Sequence, residues 1–380
     1  MPKTARIPIT NIYMDGDYTG LIQVGPGKKP MNVILDTGSS ALALNGSKYH
    51  PNVTGGDQVT SLAQTDSYGD GSSWTGAVLK SDITVGGHGA QVTVAGAEVA
   101  VAYQASSNMF RKADGILGLA YAPLDDAFQM PDPTWPERYT GKQIVGAGKQ
   151  ATVVPFLTLL AKEGLVSDKI SFYTRRSFIH EGAAAGDDPL NQGWLIVGGG
   201  EECTDLYTGA FQTAKILADD WYNTNLKAVR VGTTTAINVA ARGHKGMPSN
   251  SIVDSGTNSL NFGPKLLEAI ISKFSAAQEA QLMASIFKNT PVPVADLNLS
   301  GWPNLTFVLQ GDAADVTLTV APGDYWQVNS PKVGSATAAI TQGQDGLAIL
   351  GLPLMNGYFT IFDGEADGGR GAIKFAASKR

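Results

Sequence analysis

The chain has 380 residues, of which 43% are hydrophobic and 16% charged, a composition typical of a globular protein long enough for two domains. Its net charge is -6 and no clustered basic face is visible in the sequence, which argues against a nucleic-acid partner. The 45 Gly and 19 Pro predict many turns and favour a mostly β structure.

The sequence shows no sign of membrane insertion or secretion. No run approaches the roughly 20 apolar residues that a membrane-spanning helix needs, and the first residues, MPKTARIPITNIYMDG, lack the apolar centre of a secretory signal. Cys203 is the only cysteine, so we expect a small buried residue without a disulfide or a nucleophilic role. These features predict a cytoplasmic protein, with a secreted protein whose signal is absent from this sequence as the alternative.

The first segment that contains a candidate functional residue is VILDTGSSALAL, from Val33 to Leu44. It places one charged residue, Asp36, in a stretch that otherwise has the character of a buried strand. A buried ionised carboxylate is costly unless it is paired, hydrogen-bonded or able to share a proton. The segment therefore predicts a second group beside Asp36.

The segments that follow predict strands and a few short helices. QVTVAGAEVAVAY from Gln91 and DVTLTV from Asp315 alternate apolar and polar residues, which is typical of strands with one buried face. VPFLTLLAKEG predicts a helix that ends at Gly164, and GPKLLEAIISKF predicts one that begins at Pro264. We therefore expect an all-β protein with a few short helices.

Two motifs occur twice in the chain, in the same order. SIVDSGTNSLNF from Ser251 repeats the pattern of VILDTGSSALAL, with Asp254 in the place of Asp36. DGILGLAY from Asp114 follows the first copy, and AILGLPL from Ala348 follows the second. This duplication predicts two similar β lobes, residues 1–172 and 173–380, related by a pseudo-twofold axis.

Such an axis would bring Asp36 against Asp254. Two carboxyl groups within hydrogen-bonding range cannot both ionise cheaply, so the pair would hold one proton between them. One member can then act as a base toward a water molecule while the protonated member donates to a substrate carbonyl oxygen. This division of roles suits amide hydrolysis without a covalent intermediate.

Each Asp is followed by a hydroxyl residue, a glycine and a second hydroxyl residue: Thr37, Gly38 and Ser39 in the first copy, and Ser255, Gly256 and Thr257 in the second. The glycines lack side chains, so backbone N–H groups can approach the carboxylates. The last hydroxyl of each motif can hydrogen-bond an outer carboxylate oxygen, which favours the charged form. The first hydroxyl of each motif is expected to reach across the axis to the backbone of the other lobe.

These motifs, together with YGDGSSWTG from Tyr68, resemble those of the pepsin family of aspartic endopeptidases over nearly the whole chain. Because disulfides are impossible, the chain is most similar to the bacterial, shewasin-like homologues. The resemblance implies a bilobal all-β fold, a deep cleft, and a β-hairpin flap that closes over the substrate. It also implies a catalytic pair formed by Asp36 and Asp254, no metal or other cofactor, and a monomer.

The resemblance further implies a polypeptide substrate, an acidic optimum, a preference for large hydrophobic residues flanking the scissile bond, and inhibition by pepstatin-like compounds. Tyr68 would be the flap tyrosine, and the flap tip would contact the substrate backbone. Substrate contacts would come from the flap and from the two Asp motifs, at Tyr68, Gly69, Asp70, Gly38, Gly256 and Thr257.

Three features depart from the family pattern. The Trp that usually follows the first Asp and hydrogen-bonds the flap tyrosine is replaced by Ala43, so we expect Trp74 to compensate by packing only. Leu352 stands where an Asp is common, which we interpret as structural variation. The stretch 123–150 is longer than in a typical pepsin and is expected to be a surface insertion that borders the cleft.

A non-catalytic peptide- or protein-binding protein on the same fold is the alternative function. Both Asp residues and all their hydroxyl partners are retained, which favours the enzyme. The absence of a Trp at Ala43 favours the binding protein.

Overall fold

The computed structural model describes residues 3–14, 16–87, 90–131, 139–147, 149–241, 243–244 and 246–380. Within these ranges strands predominate and the helices are short, which confirms the predicted all-β class.

The strands up to residue 197 are β1 (Ala5–Met14), β2 (Asp17–Val24), β3 (Lys29–Asp36), β4 (Leu42–Asn45), β5 (Gln58–Ser67), β6 (Ser73–Val85), β7 (Val92–Ala105), β8 (Gly115–Gly118), β9 (Asp126–Gln129), β10 (Lys149–Thr152), β11 (Lys169–Tyr173) and β12 (Gln192–Val197).

The strands that follow are β13 (Tyr207–Lys215), β14 (Asn223–Thr224), β15 (Leu226–Val231), β16 (Ile237–Asn238), β17 (Ser251–Val253), β18 (Leu260–Phe262), β19 (Val292–Pro293), β20 (Leu305–Leu309), β21 (Val316–Val320), β22 (Trp326–Val328), β23 (Ser335–Ala338), β24 (Ile340–Gln342), β25 (Ala348–Leu350), β26 (Tyr358–Asp363) and β27 (Ala372–Ser378).

The α-helices are α1 (Gly141–Ala147), α2 (Phe156–Lys162), α3 (Pro264–Ile271), α4 (Ala276–Lys288), α5 (Pro322–Tyr325) and α6 (Leu352–Met355). The predicted helices α2 and α3 are confirmed: Gly164 takes a φ of 65° just beyond α2, and Pro264 is the first residue of α3. Helix α4 was not predicted, although a capping box formed by Ser275 and Gln278 marks its start.

The duplicated motifs form the same local structure twice. β3 ends at Asp36 and runs parallel to β8, while β17 ends just before Asp254 and runs parallel to β25. β8 also pairs antiparallel with β4, the strand that follows β3 in the chain. In the same way, β25 pairs antiparallel with β18, the strand that follows β17. Each repeated Ile-Leu-Gly segment therefore lies between two strands, beside the strand that leads to the Asp.

One large sheet runs through both halves of the chain, in the order β10-β9-β5-β6-β7-β4-β8-β3-β2-β1-β12-β11-β26-β27-β13. In it, β11 pairs with β12 on one side and with β26, from near the end of the chain, on the other. The predicted boundary between residues 172 and 173 falls inside β11, and the division into two lobes at this point remains a prediction.

The core of this shared region is aromatic. Phe362 of β26 packs against Phe172 of β11, with ring centroids 6.0 Å apart, and against Tyr222, at 4.4 Å. All three rings are buried. Burial of each such side chain contributes on the order of 2–3 kcal/mol, so residues from both halves stabilise the same core.

β5 and β6 form a long hairpin whose tip is residues 68–72. The N–H of Tyr68 donates to the carbonyl of Ser72 (2.8 Å), and the N–H of Ser72 donates to the carboxylate of Asp70 (2.8 Å). Gly71 takes a φ of 82°, a left-handed conformation that suits glycine. The tip is therefore a tight turn that the sequence can form locally.

The 123–150 stretch lies along the outer edge of this hairpin. β9 pairs with β10 and also with β5, where Ala63 is opposite Phe128. Ile144 of α1 is buried against Ala63 in a small apolar cluster. The parts of this stretch at residues 132–138 and 148 lie outside the described residues.

None of the helices that the structure describes has both the length and the apolar character needed to span a bilayer.

Candidate active site

The structure brings the two Asp residues of the repeat together. Asp36 and Asp254 are 5% and 7% exposed, so both carboxyl groups are nearly removed from water. Asp36 ends β3 and Asp254 directly follows β17, so each carboxyl group projects from the end of a buried strand.

The glycines of the two motifs allow this approach. A Cβ atom at Gly38 would lie 2.8 Å from Oδ1 of Asp254, and a Cβ atom at Gly256 would clash with Oδ1 of Asp36. Each glycine therefore lies against the carboxylate of the opposite motif, where any side chain would separate the pair.

Each carboxylate accepts two hydrogen bonds from its own motif. The N–H of Gly38 donates to Asp36 Oδ1 (2.7 Å), and the N–H of Gly256 donates to Asp254 Oδ1 (2.9 Å). The hydroxyl of Ser39 donates to Asp36 Oδ2 (2.5 Å), as predicted from its position in the motif. The equivalent bond joins the Thr257 hydroxyl to Asp254 Oδ2 (2.6 Å).

The first hydroxyls of the two motifs cross between the halves. The N–H of Ser255 donates to Thr37 Oγ1 (2.8 Å), and the N–H of Thr37 donates to Ser255 Oγ (3.0 Å). Each hydroxyl then donates to a backbone carbonyl of the other half, Ser255 to Leu35 (2.8 Å) and Thr37 to Val253 (3.3 Å). These buried reciprocal bonds fix the two motifs relative to each other.

Burial and mutual repulsion make the pair hard to ionise completely. Burial raises the pKa of Asp36 well above its usual range, and the negative charge of Asp254 raises it further, against the hydrogen bonds from Ser39 and Gly38. Burial also raises the pKa of Asp254, whereas hydrogen bonds from Thr257, Gly256 and Asp36 lower it. Burial and proximity therefore favour a state in which the two carboxyl groups hold one proton between them.

Tyr68, the predicted flap tyrosine, has a hydrogen-bond donor that sequence reasoning missed. The expectation that Trp74 compensates for Ala43 by packing only is wrong, because the indole N–H of Trp74 donates to the hydroxyl of Tyr68 at 3.1 Å. Trp74 follows Tyr68 across the flap turn, on β6. The YGDGSSWTG segment carried this signal, but only the register of the hairpin shows that the two side chains meet.

The other predicted flap residues lie at the exposed tip. Gly69 and Asp70 are exposed, and no described atom lies within 4 Å of a Cβ placed on Gly69. The Asp70 side chain holds the turn through Ser72, which leaves the tip backbone as the part able to reach a substrate. Their contact with a substrate remains a prediction.

Trp221 was not predicted as a site residue. Its indole N–H donates to the backbone carbonyl of Gly38 at 3.0 Å, so a side chain from the second half holds the first Asp motif. The hydroxyl of the next residue, Tyr222, donates to the carbonyl of Leu119 at 2.9 Å. Because neither residue belongs to the repeat, the duplicated pattern carried no signal for them.

Two lesser predictions concern residues away from the pair. Cys203 is buried among apolar side chains, which confirms its expected environment. Leu352, at the position where an Asp is common, is fully buried in the main core. Among the described residues, no group of three or more His, Cys, Asp and Glu side chains could hold a metal ion.

Comparison with known proteins gives one family. The profile of the family described as eukaryotic aspartyl protease matches residues 17–376. Over most of the chain, pepsin A of Rhinolophus ferrumequinum is 25% identical across 377 residues, which cover 94% of this chain and 81% of that protein. The vacuolar aspartic protease of Candida albicans is 24% identical across 376 residues, covering 94% and 74%.

Two relatives match a shorter part of the chain at higher sequence identity. Aspergillopepsin-1 of Aspergillus clavatus is 35% identical across 132 residues, which are 32% of this chain and 32% of that protein. Rhizopuspepsin-5 of Rhizopus niveus matches over a similar share, 31% of its length. These two matches therefore span about a third of each relative.

Proposed function

Because the chain belongs to the eukaryotic aspartyl protease family, we propose that it is a pepsin-like endopeptidase in which Asp36 and Asp254 hydrolyse peptide bonds with an activated water molecule. The observation that carries this proposal is the pair of buried carboxyl groups, each lying against the glycine of the opposite motif.

The chemistry follows from one proton on two carboxyl groups. The Asp254 carboxylate accepts a proton from water as the water oxygen bonds to the carbonyl carbon of the scissile amide, while Asp36 donates its proton to the carbonyl oxygen. The tetrahedral diol intermediate then breaks its C–N bond, as Asp254 gives its proton to the leaving amine nitrogen and Asp36 takes a proton from a hydroxyl of the intermediate. The products are a new carboxyl and a new amino terminus, and the pair again holds one proton.

An acidic optimum is supported by this protonation state. The reaction requires one ionised and one protonated carboxyl group, a state that is lost when both ionise. Burial raises the pKa of both acids, hydrogen bonds from Thr257 and Gly256 favour ionisation of Asp254, and the resulting charge of Asp254 favours the protonated form of Asp36. We expect activity to decline once the pH exceeds the range in which Asp36 retains its proton.

Several finer properties belong to the same proposal. The family resemblance supports cleavage between large hydrophobic residues, sensitivity to pepstatin, and action as a monomer on polypeptides without nucleic acid. The single cysteine supports a cytoplasmic location and a place among the disulfide-free bacterial homologues.

The test is digestion of a denatured protein between pH 3 and 7, with and without pepstatin. We expect pepstatin-sensitive cleavage that is strongest at the acidic end, with fragment ends next to large hydrophobic residues by mass spectrometry. Absence of pepstatin-sensitive cleavage throughout this range, in a chain that still binds pepstatin, would favour the non-catalytic binding protein.

A further inference from the structure

The segment between β11 and β12 contains a loop, residues 179–190, that closes on a fully buried asparagine. The amide nitrogen of Asn191 donates to the carbonyls of His180 (3.0 Å) and Ala185 (2.8 Å). Its amide oxygen accepts from the N–H of His180 (2.8 Å). None of these bonds involves the imidazole ring, so the internal structure of the loop does not depend on the charge of that ring.

The ring of His180 joins this loop to the turn at residues 329–334, between β22 and β23. Its Nδ1 lies 2.5 Å from Oδ2 of Asp188, in the loop, and its Nε2 lies 2.9 Å from Nδ2 of Asn329, in the turn. The N–H of Glu181 also donates to the carbonyl of Asn329 (2.8 Å). Asn329 is therefore the residue through which the turn holds the loop.

The hydrogen bonds fix which ring nitrogen carries the proton. The side-chain oxygen of Asn329 accepts from the N–H of Gly334 (3.0 Å), so the amide nitrogen is the atom that faces His180. An amide nitrogen can only donate, so Nε2 must offer a lone pair while Nδ1 carries the proton and donates it to Asp188. The bond to Asn329 thus exists only while His180 is neutral.

Protonation of Nε2 would place two donors against each other. Rotation of the Asn329 amide would supply an acceptor for His180 only by turning the amide nitrogen toward the N–H of Gly334. The protonated ring still has a partner in Asp188. Burial raises the pKa of Asp188, but hydrogen bonds from His180 and from the N–H of Leu190 hold it below its usual range.

Asp188 is the charged group bonded to the ring among the residues that the structure describes. The other charged side chains of the elements packed around the ring are Arg176, Glu181 and Asp187 on the same segment and Lys332 on the turn. β1 approaches the loop through the uncharged Thr10 and Asn11.

We propose that His180 is a pH-sensitive switch that detaches residues 179–190 from the turn at 329–334 when its ring gains a proton. The neutral ring holds the loop through Asn329, whereas the protonated ring stays with Asp188 and leaves the turn. Histidine normally changes charge between pH 5 and 8, so mild acidification is the signal. This inference does not depend on the proposed function.

The two ends of the loop are held without the ring. The N–H of Phe178 donates to Oε1 of Gln327 (3.3 Å), and the hydroxyl of Thr10 donates to the carbonyl of Asn191 (2.9 Å). The segment just before the loop adjoins the candidate site, because a Cβ atom on Gly16 would clash with the carbonyl of Ser177 and lie 3.3 Å from Cβ of Asn258. The switch therefore acts near the acidic pair without acting on the pair itself.

The test is hydrogen–deuterium exchange of peptides that cover residues 179–190, at pH 7.5 and pH 5, with each rate divided by its intrinsic rate at that pH. We expect protection of the parent loop to fall at least about tenfold at pH 5, since the hydrogen bonds to Asn329 are lost. Peptides from β12 should keep their protection. A change in the loop of less than about twofold would overturn the proposal.

Two variants test the direction of the hydrogen bond. N329D puts a carboxylate oxygen opposite Nε2, and the left-handed backbone at this position, with a φ of 54°, suits Asp as it suits Asn. A protonated ring can donate to this oxygen, so the N329D loop should be at least as protected at pH 5 as at pH 7.5. H180Q cannot titrate, so its protection should differ less than about twofold between the two pH values. A fall as large as that of the parent in either variant would overturn the proposal.

H50Q is the matched control, because His50 is an exposed histidine outside the loop. It should reproduce the pH dependence of the parent, and loss of that dependence in H50Q would overturn the assignment to His180. Nitrogen-15 shifts of the parent ring give a check that needs no variant: a proton on Nε2 instead of Nδ1 at pH 7.5 would contradict the proposed bond to Asn329. These measurements require no turnover, so absence of peptide cleavage would refute only the proposed function.

Discussion

Asp36 is the residue on which the proposed chemistry depends most directly. Its carboxyl group is buried, faces a second acid, and accepts hydrogen bonds on both oxygens. Burial raises its pKa and the charge of Asp254 raises it further, so the folded protein holds a proton that the unfolded chain would release above about pH 4. The proposed chemistry therefore needs an acid at position 36, whereas the stability of the fold decreases when that buried acid ionises.

Replacing either acid by the isosteric amide should separate these two requirements. We expect D36N and D254N to lower kcat/KM at least about 1000-fold, because an amide can neither share nor accept the proton. The melting temperature of D36N at pH 7 should be no lower than that of the parent, since the raised pKa of Asp36 costs stability as the pH rises above about 4. Thermal denaturation and peptide cleavage on the same samples measure both.

A D36N protein that unfolds at a clearly lower temperature at pH 7 would contradict this account of stability. Substantial cleavage by D254N would contradict the assignment of the base.

The crossed hydroxyls make a second residue-level prediction. T37A leaves the buried N–H of Ser255 without its acceptor, and S255A does the same to the N–H of Thr37. Each change should lower the free energy of unfolding by about 1–3 kcal/mol. Because the two side chains form one reciprocal unit, the double variant should cost less than the sum. Urea unfolding measures these values.

S300A is the matched control, since Ser300 carries an exposed hydroxyl that bonds only to nearby Asn298. Its effect should stay within about 0.5 kcal/mol. Strictly additive losses at positions 37 and 255 would mean that the two hydroxyls act separately.

At the scale of elements, the hairpin is attached to the inserted strands through a buried polar contact. Gln64 of β5 donates to Oδ1 of Asp125 at 2.6 Å, just before β9 begins. Asp125 is 1% exposed, and its second oxygen has no hydrogen-bond partner among the residues that the structure describes. Burial raises the pKa of Asp125 to about 7, against the hydrogen bond from Gln64, and Asp66, Glu98 and Asp126 add to the rise.

This contact predicts a specific pH dependence of stability. Because the folded pKa is raised, the stabilising effect of the proton is full below about pH 4 and is lost as the pH rises through 7. D125N mimics the protonated acid, so its stability should fall less between pH 4 and 8, by a difference on the order of 4 kcal/mol at most. Chemical unfolding across this pH range gives the measurement.

Asp126 provides the control on the same strand, because it is exposed and bonds to Gln150 at the surface. D126N keeps the buried Asp125 and removes only the smallest of the charges that raise its pKa, so it should retain most of the parent's fall in stability between pH 4 and 8. If D125N also retains that fall, Asp125 does not control the attachment of β9 to the hairpin.

Sequence reasoning succeeded where the pattern itself is duplicated. Asp36 and Asp254 could be paired from the order of residues alone, because two motifs recur in the same order and symmetry brings equal positions together. Trp74 and Tyr68 could not be paired, since their meeting depends on the register of the β5–β6 hairpin. The hydrogen bond between Gln64 and Asp125 could not be predicted either, because the sequence around residues 123–150 does not indicate which strand this segment will pair with.

At the scale of the whole molecule, the two halves share one sheet and one aromatic core. Phe362 lies on β26, next to β11 of the first half, and contacts Phe172 and Tyr222. A protein assembled in this way should unfold as one unit, even though its sequence is duplicated.

F362A should therefore destabilise both halves together, by about 3–5 kcal/mol. Tryptophan fluorescence and far-ultraviolet circular dichroism should follow one coincident transition, shifted to lower temperature. F287A, at an exposed position of α4, should leave this transition within experimental error. Two separate transitions, only one of them shifted, would show that the halves fold independently.

The continuous sheet also bears on how a polypeptide could reach the acidic pair. Strands from both ends of the chain belong to one sheet, and the crossed hydroxyls join the two loops that carry the pair. If the chain is the endopeptidase proposed above, we expect its two halves to stay joined during turnover. Movement of the β5–β6 hairpin would then control how fast a substrate enters.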